Sequence, residues 1–167
     1  MKKSLVIVVL VCLFSSGCVI NNSMGARLGW RDYQERDVDS LAMIECFYEM
    51  TLINTVDVGG AVSYAKGGDF SSIATTVYGL YRMDLTEMLV LRAGLGMGSE
   101  NLKSDTDVKY KSATGLDLRV GLQMNLASMV KPEIGIIRSM SKTTDKSNDE
   151  DIKLNPMIFY IGIGFGF

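Results

Sequence analysis

The sequence predicts an all-β chain folded as an eight-stranded antiparallel up-and-down transmembrane β-barrel. Three observations predict it. Apolar side chains recur at every second position over most of the chain. The face opposite them carries glycines and paired charges instead of an ordinary polar surface. The chain ends at a maximum of apolar character, "MIFYIGIGFGF", from Met157 to Phe167, where a soluble domain would normally fray in polar residues. Neighbouring side chains on a strand point to opposite sides, so each such segment has one apolar and one non-apolar face.

The N-terminus reads as an export signal over residues 1–17. Lys2 and Lys3 precede an apolar run from Leu5 to Phe14, followed by "SSGC"; that order matches a secretory leader, and the run is too short for a membrane-spanning helix. Residues 18–24 read as a short N-terminal segment and residues 25–167 as the barrel domain. Cys18 follows Ser15-Ser16-Gly17, similar to a bacterial lipoprotein cleavage box, which would make Cys18 a lipid-attachment site. Ser15 stands where that family usually carries leucine, so the alternative is an ordinary cut after Gly17 or a little later. Cys46 would be unpaired or would bridge to Cys18.

Eight segments follow. Segment 25–33 contributes Arg27 and Arg31, and segment 41–52 contributes Glu45 and Glu49. In 55–65, Val56, Val58, Val62 and Tyr64 oppose Asp57, Gly59, Ala61 and Ser63. In 72–84, Val77, Tyr81 and Met83 oppose Arg82 and Asp84. In 88–98, Leu89, Leu91, Ala93, Leu95 and Met97 oppose Val90, Arg92, Gly94, Gly96 and Gly98. In 112–127, leucines, Val120 and Met124 oppose Asp117, Arg119 and Gly121. Segment 131–141 carries Glu133. In 155–167, Phe159, Ile161, Ile163, Phe165 and Phe167 oppose Tyr160, Gly162, Gly164 and Gly166. Short links ("INT", "LTE", "SMVK") alternate with longer polar ones ("QERDVDS", "KGGDFSS", "SENLKSDTDVKYK", "SKTTDKSNDEDIKL"). That is the rhythm of consecutive hairpins, with no internal repeat or domain linker.

Alternation alone admits two barrels: a soluble one with its apolar face inside, and a membrane one with that face turned to lipid. Glycine decides first. It packs nothing on a solvated strand, but a narrow eight-stranded lumen needs small residues beside large ones. Lysines 66, 103, 109, 111, 142, 146 and 153 gather in or beside the long links. The charges within strands are mainly arginines and carboxylates: Arg27, Arg31, Glu45, Glu49, Asp57, Arg82, Arg92, Asp117, Arg119 and Glu133. Enclosed charges need partners, and guanidinium forks suit carboxylates, so these ten are expected to form a lumen ion-pair network. Segment length also suits tilted strands crossing a bilayer, where an open sheet edge is untenable. One segment breaks the pattern. In "IGIIRSMS", Arg138 shares the face of Ile134 and Ile136, so either a bulge intervenes or Arg138 faces lipid. Facing lipid would cost about 2–4 kcal/mol at midplane and about 0–1 near an interface.

The terminal phenylalanine, with Phe165, Ile163 and Ile161 before it at alternate positions, resembles the C-terminal assembly signal of bacterial outer-membrane proteins. With the eight-segment layout, the chain resembles the small eight-stranded outer-membrane barrels, including the barrel domain of outer membrane protein A and the Ail/Lom-type adhesion proteins. The resemblance implies a place in the bacterial outer membrane with both termini periplasmic. It also implies outer-membrane lipids and a barrel-assembly machine as partners, and long loops outside. Phe167, Phe159, Tyr81 and Tyr64 would supply interfacial girdles or ordinary lipid-facing bulk.

Net charge −2 argues against nucleic acid as a partner. The chain has no histidine, so the commonest general base and a leading metal ligand are missing. No catalytic residue, cofactor or metal is expected. Ser63, Ser139 and Ser141 lack an identifiable base, and a carboxylate site from Glu45, Glu49 and Asp117 is read first as structural ion pairing. The acidic stretches "DTD" and "DKSNDED" have oxygen ligands for calcium but lack the spacing of a helix–loop–helix site, so solvated loops are the default. The expected role is a non-enzymatic barrel with a plugged lumen. It would stabilise the envelope or present loops 99–111 and 142–154 to an extracellular partner. The alternative is a narrow porin-like channel, and the third reading is a carboxylate enzyme.

Overall fold

The computed structural model describes residues 21–33, 40–53, 55–104, 112–126, 129–144 and 151–167. The strands are β1 (Asn21–Asp32), β2 (Leu41–Ile53), β3 (Val56–Gly67), β4 (Phe70–Asp84), β5 (Leu89–Ser104), β6 (Ala113–Met124), β7 (Val130–Thr144), β8 (Asp151–Leu154) and β9 (Met157–Gly166). All pairings among the described residues are antiparallel, and all but those of β9 join consecutive strands. The sheet closes because β9 pairs with both β7 and β1. At the seam, Asn22 and Phe167 exchange a pair of backbone hydrogen bonds. The result is a closed barrel of eight staves, the eighth broken into β8 and β9 at Asn155-Pro156. Proline cannot donate to a ladder; here its carbonyl accepts from Ser139 N–H at 3.0 Å.

The faces sort as the alternation requires. Trp30, Val77, Leu95, Met97 and Ile161 stand outward at 60–66% exposure, whereas Arg27 and Arg92 lie inside at 1% and 2%. Phe159, Phe167, Tyr64 and Tyr81 are also on the outer face. Among the described residues no helix is long and apolar enough to cross a membrane; any crossing is by strands.

Several boundaries differ from expectation. β1 begins at Asn21, so the barrel takes in part of the 18–24 segment assigned to a separate N-terminal piece. The third connection is a two-residue turn, Gly68-Asp69, not a long loop: Gly67 pairs with Phe70, and Gly68 has φ 52°, a left-handed geometry that glycine adopts without strain. β5 continues to Ser104 and β7 to Thr144. The proposed loops 99–111 and 142–154 are therefore partly ladder, with β8 forming a hairpin arm on β7. The β5 extension turns Ser99, Asn101 and Lys103 outward, so it carries no apolar outer face that could mark it. At the opposite end the 85–88 turn is held by Thr86, whose hydroxyl accepts from Met88 and Leu89 N–H.

Arg138 faces outward. The β6–β7 register runs without a shift from Thr114–Lys142 to Gln123–Glu133, so no bulge exists there. Ile137 points inward instead, at 1% exposure. The apparent parity break arises because the lumen itself turns apolar at that level. Leu41, Met43, Ala65, Leu102, Ala113, Ile137, Leu154 and Ile158 form one buried cluster, gathered towards the end where β2 begins and β3 ends.

Candidate functional site

Below that apolar cap the lumen is filled by ions, and the register explains why they fit. Arg27 on β1 sits directly opposite Gly162 on β9, where an added Cβ would lie 2.7 Å from the Arg27 Cγ. Arg92 on β5 faces Gly121 on β6, and Glu49 on β2 faces Gly59 on β3. Arg27 and Glu49 run over the bare positions of Gly162 and Gly59, and Glu133 and Tyr160 reach over that of Gly121.

The network has two hubs. Arg27 donates to Glu45 at 2.8 Å, Glu49 at 2.9 Å and Glu133 at 3.2 Å. Arg92 donates to Glu49 at 2.6 Å, Glu133 at 2.9 Å and Asp57 at 3.2 Å. Glu49 and Glu133 are thus shared, each lying between two guanidinium groups. Tyr78 donates its hydroxyl to Glu49 at 2.8 Å, and Tyr160 donates to Glu133. Arg27 lies 3.9 Å above the Phe47 ring and Arg119 lies 4.2 Å above that of Tyr78, cation–π contacts that strengthen when desolvated. Arg119 also approaches Glu45 at 3.6 Å and Asp117 at 3.4 Å. Towards the short-turn end, Arg82 approaches Asp57 at 3.7 Å, and Asp57 accepts from Thr51 at 2.7 Å.

A second cluster lies within the apolar end of the lumen, where Arg31 is level with Leu41 and Ile158, and Ser72 with Ala65 and Leu102. Arg31 donates to Glu100, to Ser72 at 2.6 Å and to Ser63 at 2.9 Å. Tyr33 donates its hydroxyl to Glu100. Tyr33 follows the last residue of β1; burial, with the Glu100 charge adding to it, pushes its hydroxyl above the ordinary tyrosine range, so it stays a donor.

All ten ionic residues expected in the lumen lie inside the barrel, nine in the lower network and Arg31 in the upper cluster. Sequence reasoning missed Glu100, which it placed in a loop, and the hydroxyls of Tyr33, Tyr78 and Tyr160. Continued alternation through Gly98, Glu100 and Leu102 was the signal for Glu100. Ile161, Ile163, Phe165 and Phe167 line the outer face of β9. Cys18 lies outside the described residues, as do the leader, "DTD" and Asp145 to Glu150. Cys46 is free and outward-facing.

Chemically, the interior can hold charge but offers little room. A cavity of about 30 Å3 lies between the two clusters, bordered by Arg31, Glu45, Glu100, Asp117 and Arg119, enough for about two waters. Ser72 hydrogen-bonds with Glu100 and Arg31 and is 1% exposed. Among the described residues no group of three or more carboxylate or cysteine ligands could hold a metal.

A closed eight-stranded antiparallel barrel, greasy outside and ion-filled inside, has the architecture of the small outer-membrane barrels. Solved members of that class superpose on nearly the whole chain. Neisserial surface protein A does so with a TM-score of 0.73 at 11% identity, over 88% of this chain and 96% of that one. OprG from Pseudomonas aeruginosa gives 0.69 at 15%, over 88% and 95%. Ail, the attachment invasion locus protein of Yersinia pestis, gives 0.59 at 17%, over 88% and 98%. The likeness is one of fold. No protein-family model matches the chain, and no curated protein matches it in sequence.

Proposed function

We propose that this chain is a non-enzymatic barrel of the bacterial outer membrane, with both termini periplasmic. Its work would be done by its outer wall and extracellular loops, either stabilising the envelope or meeting a partner in the manner of an adhesin. The observation that carries the reading is the contrast between faces: an apolar exterior too large to leave in water, around a lumen blocked by ion pairs below and apolar side chains above. The blocked lumen sets the porin-like channel second. Lipids and the barrel-assembly machine are the implied partners, with Ile161, Ile163, Phe165 and Phe167 as the assembly signal and a lipid-modified Cys18 as an alternative start of the mature chain.

Detergent-folded protein should migrate differently before and after boiling, and in planar bilayers it should stay silent at high voltage. An unshifted band sinks the membrane barrel; steady single-channel currents sink the plug. Deleting Phe167 should lower the amount of heat-modifiable protein in cells several-fold while leaving refolding in detergent intact; equal amounts would remove the assembly-signal role. Replacing residues 105–111 and 145–150 with short glycine-serine linkers should abolish adhesion without changing the gel shift. Unchanged adhesion would leave envelope stabilisation as the role.

A further inference from the structure

Arg138 breaks the outer belt in a specific place. It is exposed and has no hydrogen-bond or ion-pair partner among the described residues. In its row, Leu118 and Met157 flank it. Asp32, the outward acid on the far side of Met157, accepts from Ser40 Oγ at 3.0 Å. Two residues along β7, about 7 Å away by strand rise, begins an apolar groove of about 480 Å3. Its walls are Trp30, Phe159, Ile136, Val120, Ile134 and Ile161, which lie in two adjacent rows of the ladder. The groove belongs to the lipid-facing wall, so its natural occupant is an acyl chain. The cation above it sits where a headgroup would lie, towards the long-loop end of the strand.

We infer that Arg138 and this groove form a binding site for one anionic lipid, its phosphate on the guanidinium and an acyl chain along Ile136 and Phe159. The inference rests on the membrane-barrel reading above. A guanidinium presents a fork that matches phosphate, and an arginine near the interface can extend its head to the headgroups while its stem stays on apolar surface. Phosphatidylglycerol should therefore be held in preference to phosphatidylcholine, whose phosphate is already balanced by choline.

The test is native mass spectrometry of the full protein folded in micelles containing equal amounts of the two lipids. Wild type should retain phosphatidylglycerol selectively. R138Q should lower that selectivity about tenfold, the loss expected for one charge-assisted contact, with the gel shift intact. V120F, which fills the groove, should lower retention of both lipids. V62A, on β3 outside the groove, should change neither. Unaltered selectivity in R138Q, or equal loss in V62A, overturns the site. A wild-type protein that fails to show the gel shift instead overturns the membrane reading beneath it.

Discussion

Arg92→Met should destabilise the barrel by about 3–5 kcal/mol, the range for stripping one partner from a buried ionic network. The size follows from what is left behind. Arg92 serves Glu49, Asp57 and Glu133 at once, and methionine leaves three carboxylates with less counter-charge in a nearly dry lumen. Arg27 and Arg82 remain, but neither can take over all three. Adding Glu49→Gln to the same chain should recover part of the loss by removing one stranded charge. Urea titration in lipid vesicles, followed by the fluorescence of Trp30, measures both. A loss below 1 kcal/mol for the single variant would mean that the network contributes no more than surface pairs do.

Gly94→Ala should cost about 1–3 kcal/mol, the usual penalty of overpacking, whereas Gly60→Ala should stay within about 0.5 kcal/mol. Both glycines lie in strand interiors. At Gly94 a methyl group would strike the Gly79 carbonyl and come within 2.8 Å of the Leu80 Cα, backbone that cannot step aside. At Gly60 the nearest atom is the Thr76 carbonyl at 3.7 Å, on the open outer face. The same titration separates them, and equal costs would show that glycine acts here through strand propensity instead of space.

The outer face was legible because Leu89, Leu91, Leu95 and Met97 share one side of their strand, and period-two alternation expresses it. The glycine face was legible for the complementary reason, since Gly94, Gly96 and Gly121 make sense only beside something large. What escaped was whatever lies beyond that apolar stretch. Past Gly98, β5 turns Ser99, Asn101 and Lys103 outward, residues that read as loop; with them went Glu100, although its own parity was correct. The cap was hidden likewise, because Leu41, Leu102 and Leu154 lie at strand ends that sequence reading treated as boundaries. Arg138 looked like an error in register, when the inward Ile137 beside it marks where the lumen changes character. In the site, carboxylate and arginine positions could be assigned to a face, but which pairs with which depends on the register, which only the folded sheet reveals.

The opposition of a bulky ion on one strand to a bare glycine on the next bears on ancestry. A lineage could drift freely along the greasy exterior, exchanging one aliphatic for another, provided each lumen exchange was met by a reciprocal one next door. Kinship under such rules would survive as paired volumes and charges long after letter-by-letter similarity had gone.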